Sequence, residues 1–588
     1  MKSLIIVEAP TKAHKIQDFL GDNYTVLASK GHICDLSTSK GIGVDINNDF
    51  KPHYILSKDK ISILDNIINA AQKADNILLC SDADREGEAI AYHLRRYLSS
   101  CNTPIFRIET REITKQALLD AIAKPRQIDE NLFHAQEARR ILDRIVGFLV
   151  SPFLIQFFGS NLSAGRVQSV AVKMIAEREK EIEVFKPEEY WNVVSGFKNQ
   201  DGKEFNAKLE KKIKNKDDAE KIVNLIKAAD DFYVEKIDTK QKKEKPPAPF
   251  ITSKMQQYMA TKYKFSAERT MTAAQALYEN GICTYIRTDA PAISAVALAS
   301  VREWISKNNL DLPETVNSYN SKKNAQNAHE CIRPTNVNNL YTKIPGSPDM
   351  KLLYKAIWQH FVASQLNPAV YDTVSIEIRS RSNNKLVFKT SGKCLSYKGY
   401  LEVFDDVNTN DKINIPHMQE GEILDLVVEK LKQDQKFTQP PPRYNDATLI
   451  KDLESYGIGR PATFAEIIKK INQRAYVEKQ NNSYHATELG KKITNILNKY
   501  FSFMEYEFTA LVEKQLDCIS EGKLSHTKML QDFYNSFKEN LVHAYKDNGG
   551  IICKCGAPMV ARVSSRGEFY GCIMFPSCRE TLTIEKSA

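Results

Sequence analysis

The chain has 588 residues, 42 % of them hydrophobic, with 82 Lys plus Arg against 73 Asp plus Glu and a formal charge of +9. That length exceeds what one hydrophobic core sustains, so several domains are expected, and the mild basic excess permits a polyanionic partner without requiring one. No run of about 18 apolar residues is present, and the apolar run before Glu8 is too short for a secretion signal, so a cytoplasmic protein without a membrane span is expected.

In chain order, LIIV (4–7) predicts a short buried strand and NILLC (76–80) a second. The latter runs into a helix over EGEAIAYHLRRYL, where Ile90, Leu94 and Leu98 are four apart. Strands alternating with helices predict an α/β domain with a mostly parallel sheet over residues 1–130. Residues 131–185 read as helical, with Ala138, Ile141, Leu142 and Ile145 on one stripe and Arg140, Asp143 and Arg144 on another face. Residues 186–248 are mixed, and KQKKEKPPAP (240–249) reads as a linker or domain crossing. Residues 249–370 are mostly helical. Strand returns over 371–438, in VSIEI and ILDLVV, and QPPPR (439–443) marks another crossing.

Within 439–545, a helix fits DATLIKDLESY, a tight turn GIGRP, and a second helix TFAEIIKKI with Thr463 and Glu466 in a capping-box pattern. A hairpin follows around Asn481 and Asn482. Helix, turn, helix and hairpin make a winged-helix pattern, with a plain helical packing unit as the other reading. Seven of the 11 cysteines are scattered, whereas Cys553, Cys555, Cys572 and Cys578 cluster in the final segment, 546–588. In a reducing compartment that spacing points to metal rather than to disulfides.

Two stretches carry candidate chemistry. SDADREGE places Asp82, Asp84 and Glu86 directly after a strand, at the edge where open α/β sheets bind ligands. Alternate residues of an extended chain point the same way, so the acids can converge, and magnesium is the natural partner. Glu8 ends the first strand in the same manner, with Lys12 close behind. If the two strands are neighbours, Glu8 joins the acids. The second stretch is TYIRTDA (284–290), in which a strand would turn Arg287 the same way as Tyr285. No GxxxxGK[ST] loop is present, which argues against an ATP-driven machine.

VEAPTKAHKI (7–16), GHICDL (31–36), SDADREGEAIAYHL (81–94), QEARRILDRIVGF (136–148), LSAGRVQSVAV (162–172), PFITSKMQQ (249–257), TYIRTDA (284–290), AHECIRPT (328–335) and GIGRPATFAEII (457–468) occur in one order. Together they resemble the type IA DNA topoisomerase family, nearest its bacterial topoisomerase I branch, over about residues 2–540. The resemblance implies a Toprim metal-binding domain (1–130) in a multidomain toroidal core. Residues 131–185 and 439–545 would form a helical, winged-helix-like DNA-binding domain. Residues 186–248 and 371–438 would form a β-rich arch, 249–370 would carry the nucleophilic tyrosine, and 546–588 a zinc-ribbon-like end. The implied activity cuts one DNA strand through a 5′-phosphotyrosyl intermediate, passes a strand and reseals. It relaxes negatively supercoiled DNA without ATP, acting as a monomer at the nucleoid on a single-stranded segment. The decatenating topoisomerase III branch, a non-catalytic DNA-binding relative and a Toprim primase or nuclease are the alternatives.

Residue by residue, the resemblance makes Tyr285 the nucleophile, Arg287 and Lys12 the cations on the scissile phosphate, and Glu8 an acid between the metal site and the 3′ oxygen. Asp82, Asp84 and Glu86 would hold magnesium. His32, Arg139, Arg140, Asp143 and Arg474 match single-strand contacts, and Arg139 with Asp143 could equally be a helical ion pair. Ser163, Ala164, Gly165, Arg166, Val167 and Gln168 match a phosphate-binding segment whose free N–H groups open a helix. His329 and Arg333 match a pair behind the tyrosine. Ala290 stands where the family has serine, and Cys331 where alanine is common, which raises a question of redox sensitivity. In the ribbon, Cys553-x-Cys555 replaces the usual C-x2-C, with Ile552 at the expected first cysteine. Cys572 and Cys578 keep the pattern, so the four thiols are candidate zinc ligands.

Overall fold

The computed structural model describes residues 2–39, 41–159, 161–319, 330–406, 415–565 and 567–584. The chain opens with β1 (Ser3–Val7), α1 (Pro10–Leu20) and β2 (Tyr24–Ala28). Two small pairs follow, β3 (Cys34–Leu36) with β6 (Tyr54–Leu56) around β4 (Val44–Asp45) with β5 (Lys51–Pro52). Then come α2 (Ile61–Ala71), β7 (Asn76–Leu79), α3 (Arg85–Leu98) and β8 (Ile105–Arg107). The parallel sheet runs β2-β1-β7-β8, with Ile5 opposite both Val26 and Leu78. Its faces enter different cores, which is why LIIV and NILL are continuously apolar rather than alternating. Leu4, Ile6, Ile77 and Leu79 pack with residues of α2 and α3. Ile5, Val7 and Leu78 share a core with Tyr278, Tyr285 and Ile286 of the tyrosine-bearing segment.

Next in the chain are α4 (Lys115–Ala123), the long α5 (Glu130–Phe158) and α6 (Gln168–Val184). One closed antiparallel barrel is assembled from two separate stretches of chain. The first gives β9 (Glu189–Lys198), β10 (Glu204–Leu209) and, after α7 (Lys216–Ala228), β11 (Phe232–Glu244). Between the stretches lie α8 (Thr252–Tyr263), α9 (Ala267–Glu279), α10 (Ala295–Lys307) and α11 (Pro348–Ala363). The second gives β12 (Ala369–Ser380), β13 (Val387–Tyr397) and β14 (Ile423–Phe437), closing in the order β10-β13-β12-β11-β14-β9. Phe197, Phe205, Phe232 and Phe388 fill it. The lysine-rich run expected as a linker is instead half strand. Lys240 to Glu244 end β11, paired with Thr373 to Ala369, because each lysine keeps its head in solvent while its backbone completes the ladder.

The last third holds α12 (Asp446–Ser455), α13 (Phe464–Gln473), the hairpin β15 (Val477–Gln480) with β16 (Ser483–Ala486), α14 (Glu488–Tyr500), α15 (Tyr506–Ser520) and α16 (His526–Asp547). Asn481 and Asn482 take φ of 47° and 64°, as a tight hairpin turn requires. The capping box sits at Asn445 and Thr448 instead of Thr463 and Glu466. Thr463 makes no helix cap; its hydroxyl closes the preceding turn by bonding the backbone of Arg460 in both directions. A three-stranded ribbon of β17 (Met559–Ser564), β18 (Gly567–Cys572) and β19 (Thr581–Thr583) ends the chain. Cys553, Met559, Cys572 and Ile573 of this ribbon belong to the core built by α5, α6 and α12–α16. On the ribbon's other side a Cβ on Gly41 would lie 2.0 Å from the Phe575 carbonyl oxygen, so the N-terminal domain touches it as well. By length and composition α5 could cross a bilayer. Here it packs against α3, α15, α16 and β17.

Candidate functional site

Tyr285 does not lie on a strand. Its segment is irregular, with one isolated bridge between Cys283 and Pro334, because side-chain and loop partners take the backbone groups a ladder would use. The Tyr285 N–H donates to the Arg111 carbonyl at 2.8 Å, across to the N-terminal domain. Thr284 exchanges backbone and hydroxyl bonds with Arg333 and Cys331, and the Thr252 hydroxyl donates to Ile286 O (2.7 Å) and Thr288 O (3.0 Å). Tyr285 is 5 % exposed, and its hydroxyl donates to Asp84 Oδ2 at 2.6 Å. Burial first, then the charges of Asp84 and Asp82, push its pKa well above the ordinary tyrosine value, against the pull of Arg287. Tyr285 therefore rests as a protonated phenol. Ala290 is fully buried and bonds Thr288 through its N–H, so a hydroxyl there would not reach the groove. Cys331 is fully buried, and burial pushes its thiol pKa up, so it carries no reactive thiolate.

The two apolar strands are neighbours, and their ends bring Glu8, Lys12 and Asp82 together as the sequence suggested. Lys12 Nζ is fully buried and donates to Glu8 Oε1 at 2.8 Å and Asp82 Oδ1 at 3.0 Å. The buried Tyr278 hydroxyl donates to the same Asp82 oxygen at 3.0 Å, and its ring stands edge-on to that of Tyr285 at 5.2 Å. Burial raises Glu8 to about 8 despite Lys12. Burial alone would also raise Asp82, but the charge of Lys12 holds it below the usual carboxylate range. The pair thus keeps one proton, on Glu8, at neutral pH.

Asp84 Oδ1 caps α3 through Gly87 N–H at 2.8 Å, and Arg287 donates to Glu86 Oε2 at 2.9 Å with Asp84 Oδ2 3.6 Å away. His32, its Nε2 3.7 Å from Glu86 Oε1, and then Arg287 hold Glu86 down at about 2 against its burial. Among the described residues, the three acids after β7 do not bring their ligand atoms within 4.8 Å of one another. Each is turned onto a protein partner. They nevertheless fit magnesium, which takes one or two carboxylates and keeps several waters. Glu8 Oε2 is buried without a hydrogen-bond partner, a polar atom left unsatisfied beside the same acids.

Sequence reasoning missed the scaffold that presents these acids. Arg107 is fully buried and donates to the carbonyls of Leu79, Ser81, Asp82 and Ile108 and to Glu88, fixing the chain exactly where β7 ends. A Cβ on Gly87 would lie 2.1 Å from Asp82 O, so only glycine lets α3 close on that turn. An arginine one strand away carries no local signature; only its pairing with Glu88 reveals it.

From these acids a continuous groove leads to the expected strand contacts. A 340 Å³ part is lined by Asp84, Glu86, Arg287, Arg139, Arg140 and Arg460. A 780 Å³ part shares Arg139, Arg140 and Asp143, and adds Ser163 to Gln168 and Arg474. Arg139 and Asp143 do not pair with each other. Arg139 donates to Glu513 at 3.2 Å, and Asp143 accepts from Arg166 at 3.3 Å. Glu513 is fully buried, accepts from Arg166 at 3.0 Å as well, and is held down at about 2 by Arg139, Arg166 and Arg460 against its burial. Asp517, one turn on, joins Arg85 (2.5 Å) to Arg460 (2.7 Å). Arg140 grips Asp35 with both ends. Half of the N–H groups expected to be free are engaged. Those of Ser163, Ala164 and Gly165 bond the hydroxyls of Tyr476, Ser151 and Ser169, so the first half of the segment presents no bare backbone donors. Arg333 is buried on Glu112 and Glu330 and lines neither part of the groove. His329 lies outside the described residues.

In the ribbon, one sulfur from each of Cys553, Cys555, Cys572 and Cys578 falls within 4.8 Å of the others, with Cys553–Cys578 at 3.6 Å and Cys555–Cys572 at 3.5 Å. Tetrahedral zinc with bonds of about 2.3 Å sets sulfurs about 3.8 Å apart, so the C-x-C departure does not spoil the site. Gly556, at φ 85°, turns the chain directly after Cys555.

A family model described as DNA topoisomerase matches residues 127–531, one described as Toprim domain matches 3–113, and one described as Topoisomerase DNA binding C4 zinc finger matches 550–587. The solved structure of full-length topoisomerase I from Thermotoga maritima is similar, at 33 % identity and a TM-score of 0.81, over 99 % of this chain and 97 % of that one. The Toprim match and the four-thiol finger bring magnesium and zinc as the cofactors. A tyrosine bonded across to a Toprim acid, at the head of an arginine-lined groove, agrees with all of these matches: the chain belongs to the type IA DNA topoisomerases.

Proposed function

We propose that this chain relaxes negatively supercoiled DNA, holding a single-stranded segment in the groove and cutting it with Tyr285. The observation that carries the reading is the contact of Tyr285 with Asp84 at 2.6 Å, where the groove meets Arg287 and Glu8 lies behind. A phosphate entering there exchanges with Glu86 for Arg287. The Tyr285 oxygen bonds to phosphorus as its proton passes to Asp84, and the bond to the 3′ oxygen breaks as Glu8 protonates that oxygen. Glu8 is suited to this because burial keeps it protonated at neutral pH. Lys12 and Arg287 offset the charge that develops on the phosphoryl oxygens. Resealing runs the same transfers backwards. Magnesium, held by Asp82, Asp84 and Glu86 with Glu8 adjacent, would neutralise phosphate charge and position the 3′ hydroxyl.

Arg139, Arg140, Arg166 and Arg474, with His32 and Asp143 beside them, would hold the strand, and Glu513 and Asp517 would keep the arginines in place. The domain limits set out from the sequence go with this reading. So does a monomer acting at the nucleoid, clear of any membrane, since α5 points Arg139, Arg140 and Arg144 into the groove rather than toward lipid. The test is covalent trapping on 3′-labelled single-stranded DNA followed by denaturant. Wild type should retain label, Tyr285→Phe should not, and a labelled Tyr285→Phe would sink the assignment.

A further inference from the structure

Away from the groove, the amino-terminal part of α5 and the start of α16 bring three metal-type donors together. One ligand atom from each of His134, Glu137 and His526 lies within 4.8 Å of the others. The two imidazoles stack at 4.2 Å with planes 5° apart, and His134 Nδ1 is 3.4 Å from Glu137 Oε2. The Glu137 side chain is 8 % exposed. Its other oxygen accepts from the Tyr54 hydroxyl at 3.2 Å, and no Lys or Arg pairs with it among the described residues. A carboxylate so buried with no Lys or Arg beside it is costly, and a metal cation would answer it.

We infer that His134, Glu137 and His526 form a second metal site, taking a zinc-class divalent cation through two imidazole nitrogens and one carboxylate oxygen. Two nitrogens and one oxygen suit zinc, cobalt or nickel; magnesium wants an all-oxygen octahedron. His526 is the first residue of α16 and His134 lies in the second turn of α5, and a zinc-class ion takes the neutral imidazole ring of either as its ligand. Tyr54 orients the carboxylate from outside the ligand set, as second partners do in metal centres. A 330 Å³ opening lined by His134, His526 and Ser525 leaves room for a water as fourth ligand. Ligation turns the rings out of their stack onto one ion, and ties the start of α5 to the start of α16.

The test strips the full-length chain with chelator, reloads it with zinc alone and counts metal after dialysis. Wild type should hold one equivalent more than His134→Ala/His526→Ala, whose four ribbon thiols are untouched. Glu137→Gln, nearly the same shape, should lose the same equivalent and serves as the second variant if the double variant misfolds. With cobalt as probe, the extra equivalent should absorb in the d–d region without a thiolate charge-transfer band. Equal counts in wild type and Glu137→Gln, or an extra equivalent bearing the thiolate band, overturn the site.

Discussion

Replacing Lys12 by methionine removes the charge between Glu8 and Asp82 and keeps most of the volume. Breaking a buried ion pair from one side costs about 3–5 kcal/mol when the remaining charge cannot neutralise itself. Here it partly can, since Glu8 is already protonated below about 8, so the low end, about 3 kcal/mol, is expected at pH 8–9. The sign with pH follows from proton binding. In wild type the Asp82 pKa is lowered, a contribution present above the unfolded value and lost as pH falls through the folded one. The Glu8 pKa is raised, a contribution present below its unfolded value and lost as pH rises toward about 8. Without Lys12 both carboxyls bind protons more tightly in the folded state, so the variant loses stability relative to wild type as pH rises. Scanning fluorimetry in EDTA from pH 5 to 9 should show a Tm gap that widens to about 6–12 °C at the alkaline end. A gap that is constant, or narrows with rising pH, refutes the charge assignment.

Glu513→Gln leaves Arg139 and Arg166 without their shared anchor, and single-strand affinity in a Tyr285→Phe background should fall about ten- to hundredfold by anisotropy; an affinity within twofold of the parent removes Glu513 from the groove. With Glu8 proposed as the proton donor and burial pushing its pKa up to about 8, metal-free single-turnover cleavage should decline above about pH 8 in wild type. Glu8→Gln should be slower and lack that limb, and a wild-type rate still flat at about pH 9.5 would count against the role. Gly41 holds φ 62° and has no room for a Cβ beside Phe575. Gly41→Ala should loosen the ribbon, seen as faster proteolysis of the last forty or so residues with the rest resistant.

Much of the catalytic end was legible because its signals are local. LIIV and NILLC are apolar without alternation, which only a strand buried on both faces requires, and the acids after each could then be placed at one sheet edge. Asn481 and Asn482 turned a hairpin because asparagine tolerates left-handed backbone. What stayed illegible depends on partners distant in sequence. Glu513 and Asp517 look like ordinary helix acids until the fold sets them beneath Arg139, Arg166, Arg460 and Arg85. The lysines before PPAP look like a tether, because a strand whose side chains are all solvated has no hydrophobic period. Tyr285 missed its strand because Arg111, Thr252 and Arg333 supply hydrogen bonds that no neighbouring strand could. Thr463 and Glu466 have the spacing of a capping box, but the turn at Arg460 claimed the threonine hydroxyl first.

On the proposed roles, the contact of Tyr285 with Asp84 and of Arg287 with Glu86 would also act as a safety catch. At rest the tyrosine hydroxyl is clamped to one carboxylate and Arg287 is answered by another. Water and small anions would meet a neutralised pair there rather than a bare guanidinium. A DNA phosphate would release the catch by substitution, offering Arg287 one negative oxygen in place of another, so arming would need little net change in electrostatic energy. Under the proposed roles, only a strand threaded along the whole groove would have the added grip of Arg139, Arg140 and Arg166 to drive that exchange, which would restrict cutting to DNA already held where it must later be rejoined.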